Sequence, residues 1–189
     1  MDVITAIKER WSCRNFLSKP IEEEKLNLIL ECGLAAPSPA NKQPWEFIVI
    51  KDEGIKTEIR KLAEKAKEKM TAAGGWDWIA RFKIDFIEQA PVLVAVVGDP
   101  AKTGAEQFLP GRGEGYEHAC AAAVQNMLLA AHALGLGSLW LSLFDKPDLL
   151  DLLKIEKDKN LIALVCLGYP AGKPAKTSRK TLAEKVRYL

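Results

Sequence analysis

PVLVAVVG, residues 91–98, carries no charged side chain and is opened by proline and closed by glycine. A strand with one wet face alternates polar and apolar residues, whereas an unbroken apolar run of this length reads as a central strand covered on both faces. Elements that can supply the cover lie on either side of it. Upstream, Trp45 to Lys51 reads as a strand, residues 54–70 as a helix with alternating charges (EIRKLAEKAKEK), TAAGG as a break, and 76–89 as helix again. Before these, Val3, Ile4, Ile7 and Trp11 share a helical face with Asp2 as N-cap, and a helix over 22–35 turns Leu26, Ile29, Leu30 and Leu34 inward. Downstream come an irregular Gly/Pro-rich excursion (99–114), a buried helix (116–134) and a strand SLWLSLF (138–144). A short helix capped by Asp145 then leads to a last core strand, LIALVCLG (161–168).

Four strands separated by helices specify an α+β fold, a three-layer α/β sandwich whose central sheet is mixed in direction and flanked by helices. Residues 1–168 form the domain. Residues 169–189 are a Pro-, Lys- and Arg-bearing extension with little core of its own, and packing on a second subunit would order it. The expectation is a homodimer with an exchanged C-terminal tail.

Composition removes several function classes. Apolar residues make up 48%, enough for a real core, and 27 basic against 25 acidic residues leave a formal charge of +2 with no basic stripe for nucleic acid. Met1 leads directly into the helical pattern DVITAIKERW, so no signal peptide is expected. Cys13, Cys32, Cys120 and Cys166 lack the close spacing of a zinc site and read as reduced thiols of a cytoplasmic protein. The uncharged stretch 119–144 is long enough for a membrane, but Gln125, Asn126, His132, Gly135 and Gly137 make it a buried helix followed by a buried strand.

Familiar catalytic patterns are missing. His118 and His132 are the only histidines, both on the long helix, and read as satisfied core or interface groups rather than members of a triad. LGLGS (134–138) follows a helix and precedes a strand, the reverse of a dinucleotide loop, so it reads as a helix C-cap. RWSCR (10–14) is a positive signal: in extended chain Arg10, Ser12 and Arg14 point together, while Trp11 and Cys13 point away. Two guanidiniums and a hydroxyl suit a phosphate, although a solvated helix end with two surface arginines has the same spacing. AAPSPANKQPW (35–45) is another: Ser38, Asn41 and Gln43 offer uncharged donors and acceptors on a proline-stiffened backbone. Such groups can read the edge of a planar heterocycle, but a rigid strand entry with Trp45 packed inward is the alternative.

RWSCRNF, a helix, then APSPANKQPW, followed by ALGLGSLWLSLF, LGYP and KTSRK in that order, resembles the FMN-dependent nitroreductase family over most of the chain. The resemblance implies that Arg10, Ser12 and Arg14 hold the FMN phosphate and ribityl chain, with Trp11 contributing through its backbone. It implies that Pro37, Ser38 and Asn41 reach the flavin from the other subunit, and that Leu141, Ser142 and Leu143 lie beside the isoalloxazine, where many relatives have Gly or Glu–Gly. Arg179, and with it Lys176, matches the tail cation that returns to the phosphate.

On the same resemblance, no catalytic side chain or metal is needed, because FMN carries the chemistry. The implied activity passes electrons from NADH or NADPH through flavin N5 to nitroaromatic, quinone or activated-alkene acceptors by a ping-pong mechanism, with FMN at the interface of a homodimer. A specialised flavoenzyme of the family, such as a dehydrogenase or dehalogenase, and a non-catalytic FMN-binding protein are the alternatives. Nucleic acid and membrane are not expected partners.

Overall fold

The computed structural model describes residues 1–174 and 177–189. Its strands are β1 (Trp45–Ile50), β2 (Val92–Gly98), β3 (Gly137–Leu141) and β4 (Asn160–Gly168), in the order β1–β2–β4–β3. Its helices are α1 (Val3–Glu9), α2 (Glu23–Leu34), α3 (Glu53–Ala72), α4 (Asp77–Ala80), α5 (Phe86–Gln89), α6 (Gly115–Ala133), α7 (Lys146–Leu152) and α8 (Leu182–Lys185).

β2 is buried along its whole length and lies inside the sheet, as its unbroken apolar pattern requires. Its side chains alternate between two cores. Leu93, Ala95 and Val97 meet α3, α5 and α7 on one face, and Val92, Val94 and Val96 meet α2 and α6 on the other. β4 follows the same alternation until its register slips: Val96 pairs with Ala163 but Val97 with Leu161. Ile162 is the extra residue of this bulge, so Leu161 and Leu164 share a core although they are three apart.

All three strand pairings are antiparallel, which corrects the expected mixed sheet. The parallel element is confined to an isolated bridge between Ser12 and Ser138. The cause lies in the connections. Ile50 at the end of β1 stands opposite Leu93 near the start of β2, so the excursion through α3, α4 and α5 returns to the same end of the sheet. A parallel neighbour would need a crossover to the opposite end.

Further differences have local causes. Residues 76–89 form two single turns, α4 and α5, rather than one helix. Ile79 and Ile84 are both buried, and a separation of five residues does not fit one helical face. Leu34 is exposed at the end of α2, and Val3, Ile4 and Ile7 are exposed along α1, where only Ala6 is buried. β3 stops at Leu141, because beyond its pairing with Leu164 the chain turns to bury Phe144.

Several local devices hold the layers together. Asp2 accepts from the amides of Ile4 and Thr5, both at 3.0 Å, and caps α1 as expected. Gly135 at φ 76° closes α6, with Leu136 N–H donating to the Ala131 carbonyl at 2.8 Å. Lys56, only 1% exposed, donates to the Ala90 carbonyl at 3.0 Å and pairs with Glu53 at 2.7 Å, fastening α3 to the chain entering β2.

Candidate functional site

Residues 10–17 leave α1 and are laid between the free edge of β3 and the end of β4. Cys13 N–H donates to the Ser138 carbonyl at 2.9 Å, Leu17 N–H to the Tyr169 carbonyl at 2.8 Å, and the Asn15 carbonyl accepts from Ala171 at 2.9 Å. The close approach depends on Gly137, where a Cβ would stand 2.7 Å from Cys13 Sγ. With Cys13 buried and Trp11 packed half-buried against the α3 side of the core, Arg10 and Ser12 are half-buried and Arg14 is exposed. Trp11 and Cys13 thus turn to the core as expected.

The three arginines expected at the phosphate divide. Partial burial first, and then the Arg179 guanidinium beside it, push the Arg10 pKa below its ordinary value. Arg179 donates to Thr177 Oγ1 at 3.0 Å and to the Ser178 carbonyl at 3.2 Å. Among the described residues no carboxylate pairs with either guanidinium, so two neighbouring like charges are left for an anion. Lys176 lies outside the described residues.

Arg14 turns elsewhere. Its Nη1 donates to the Ser12 carbonyl at 3.3 Å, and its guanidinium lies 5.6 Å from the centroid of the Phe82 ring. It lines a cavity of about 660 Å³ together with Trp78, Arg81, Phe82, Lys83 and Asp85. Asp85 is already paired with Arg60 at 3.1 Å, which leaves Arg14, Arg81 and Lys83 as excess positive charge. Arg81 and Lys83 fall in a stretch expected to be one helix, but RFKIDF (81–86) alternates polar and apolar residues, a pattern that fits the exposed Arg81, Lys83 and Asp85 and the buried Ile84 and Phe86 better than a helical stripe does.

The loop over 37–43 is held in an unusual backbone. Ala40, Asn41 and Gln43 have φ of 46°, 52° and 46°, the left-handed region that side chains with a Cβ disfavour by ~1 kcal/mol or more each. Ser38 Oγ accepts from Gln43 N–H at 3.0 Å, and Gln43 Nε2 donates to Asn41 Oδ1 at 3.2 Å. Pro37 and Ser38 line a separate cavity of about 420 Å³ with Arg112, Glu114 and His118. Within one chain, then, this loop does not join Arg10 or Arg14. Behind it, Glu106 Oε1 accepts from Thr103 Oγ1 at 2.6 Å and from the amides of Gly104 and Gly115 at 3.0 Å, tying the 99–114 excursion to the start of α6. These donors, the Thr103 hydroxyl foremost, hold its carboxyl at about 2.

Of the remaining expected site residues, Leu141 is buried at the end of β3, Ser142 is exposed and Leu143 packs half-buried on the core. His118 is exposed and His132 is half-buried with Nε2 unpartnered among the described residues, so of the expected core or interface roles the core one does not hold for either. Each is carried by a helix whose inward stripe is filled by Ala, Cys, Val and Met. Burial pushes the Cys120 thiol up to about 12 and raises Cys166 as well, which disarms both as nucleophiles. Among the described residues there is no cluster that could hold a metal ion and no helix long and apolar enough to cross a membrane.

Comparison with known proteins assigns the architecture. The model of the Nitroreductase family matches residues 7–169. An iodotyrosine deiodinase from Haliscomenobacter hydrossis is 32% identical, over 86% of this chain and 76% of its own length. A Thermus thermophilus protein named NADH dehydrogenase is 30% identical, over 90% of this chain and 88% of its own. A Desulfovibrio desulfuricans structure solved in complex with FMN superposes with a TM-score of 0.77 at 29% identity, over 100% of this chain and 97% of its own. The chain belongs to the Nitroreductase family and is a flavoprotein oxidoreductase of that family.

Proposed function

We propose that this protein binds FMN and passes electrons from NADH or NADPH to small acceptors of the nitroaromatic, quinone or activated-alkene classes by a ping-pong mechanism. The reading rests most on Arg10 and Ser12 held on a segment braced against both β3 and the end of β4, with the charge of Arg179 felt at Arg10 and no carboxylate ion-paired to either guanidinium among the described residues. The FMN-bound structure of a relative and the NADH dehydrogenase name of another support the cofactor and the donor.

The residues fit the group. Arg10 and Arg179 offer paired donors for the phosphate, and Ser12 adds a hydroxyl. Arg14 and Lys83 put positive charge in the cavity they line, where the heterocycle would gain electron density on reduction. Bound flavin supplies hydride and electron transfer; the chain binds it, aims it and leaves one face open. The positive φ values at Ala40, Asn41 and Gln43 suit a loop preset for a partner, and Pro37, Ser38 and Asn41 are assigned to the flavin of the second subunit of a homodimer. Leu141, Ser142 and Leu143 are assigned to its near edge. The test is the visible spectrum of the purified protein before and after anaerobic NADH. Flavin bands that bleach establish cofactor and donor together; a colourless protein that takes up no FMN refutes the reading.

A further inference from the structure

The cavity that holds Arg14 shares a wall with another. Trp78 and Arg81 line both, and the outer cavity, about 800 Å³, adds Gly74, Gly75, Trp76 and Asp77. The wall belongs to a ladder of rings. Trp76 and Trp78 stack with centroids 6.0 Å apart and 29° between their planes. Trp78 meets Phe82 edge-on at 5.5 Å, and Phe82 meets Phe86 at 6.0 Å. The lowest rung is core, with Phe86 1% exposed, whereas Trp78 and Trp76 are 50% and 73% exposed.

Two large stacked rings left in water, at the mouth of a cationic cavity, form an apolar patch that calls for an occupant. Among the described residues the Arg81 guanidinium has no carboxylate within ion-pairing distance, and Asp77, four residues earlier, does not pair with it. The shelf therefore offers two indole faces, one free guanidinium and one carboxylate at the rim.

We infer that this shelf is the acceptor subsite: it takes a planar aromatic ring on Trp76 and Trp78, with one anionic substituent held by Arg81. The inference rests on the flavin reading, which puts the cofactor in the inner cavity and so brings a ring on the shelf to its edge. Aromatic rings stack on indole whatever their charge, but only an anionic one gains charge-assisted hydrogen bonds to the guanidinium. Asp77 stands against a second negative charge, which favours an aromatic monocarboxylate over a nucleotide.

The probes are 4-nitrobenzoate and its neutral analogue 4-nitrobenzyl alcohol, titrated calorimetrically into FMN-saturated, oxidised protein. The wild type should prefer the carboxylate by about tenfold. Arg81→Gln should abolish that preference while leaving the alcohol within about twofold. Trp76→Ala should weaken both probes by about fivefold, and Trp76→Phe should restore them. At 73% exposure Trp76 leaves no core cavity when removed. Equal wild-type affinities, a preference that survives Arg81→Gln, or indifference to Trp76→Ala would each overturn the subsite. So would displacement of 4-nitrobenzoate by adenosine monophosphate at equal concentration, which would make the shelf a nucleotide site. FMN uptake, followed separately by flavin fluorescence, keeps the two ideas distinguishable. Its failure refutes the cofactor reading, and the shelf is then judged by quenching of tryptophan fluorescence in FMN-free protein by the same two probes.

Discussion

Single side chains decide how charge is distributed here. The like charge of Arg179 lowers the Arg10 pKa after partial burial does, so an anion held by both would relieve a cost as well as form new bonds. Arg10→Ala should weaken FMN binding by about tenfold or more, read as the flavin fluorescence recovered on titration. An unchanged affinity would remove the pair from the phosphate site. Glu106 makes a pH prediction. Its folded carboxyl lies near 2, below the ordinary 4.5, so folding favours the ionised form. That stabilisation is fully present above pH 4.5 and is lost as the pH falls from there towards 2. Glu106→Gln should lower the melting temperature at pH 7, and the gap to wild type should shrink on acidification through that window. A gap independent of pH would mean that the carboxylate charge contributes nothing to the clasp.

Between elements, the critical contact is the one that lays residues 10–17 on the sheet edge. Gly137→Ala would drive a methyl into Cys13, 2.7 Å away, and the backbone of the RWSCR segment must then lift off β3. A loss of about 1–3 kcal/mol in chemical denaturation is expected, together with weaker FMN binding. Retention of both would mean that the segment can re-seat. The two turns α4 and α5 show why this region was hard to read. WDWIARFKIDFIEQ contains apolar residues at spacings that satisfy a helix in places, and the buried pair Ile79 and Ile84 broke the pattern. With the helix interrupted between α4 and α5, Arg81 and Lys83 line the cavity of Arg14 and give it a cationic wall.

For the whole molecule, the exposed apolar residues are the surface that the proposed homodimer would cover. Val3, Ile4 and Ile7 on α1 are exposed, as are Leu28 and Leu34 on α2 and Leu182, Tyr188 and Leu189 in the tail. Among the described residues from Ala171 onward all are exposed, so the tail has no cover within its own chain. Ending the chain after Pro170 should lower both FMN retention and the dimer fraction in size-exclusion chromatography with light scattering. A truncated protein that stays dimeric and yellow would exclude the exchanged tail.

The layered fold was legible because it depends on local patterning: an apolar run such as 91–98 can satisfy its surroundings only as a covered strand, and the glycine closing α6 has one low-cost conformation. The inward turn of Trp11 and Cys13 in RWSCR was legible for the same reason, since alternation along an extended segment is a property of the backbone. Strand direction, the bulge at Ile162 and the division of the arginines between two places depended on where distant segments met. Arg14 and Phe82 are 68 positions apart (82 − 14), and Arg10 and Arg179 are 169 apart (179 − 10). Contacts over such separations leave no period in the sequence. They are decided by which faces the folded core has left free.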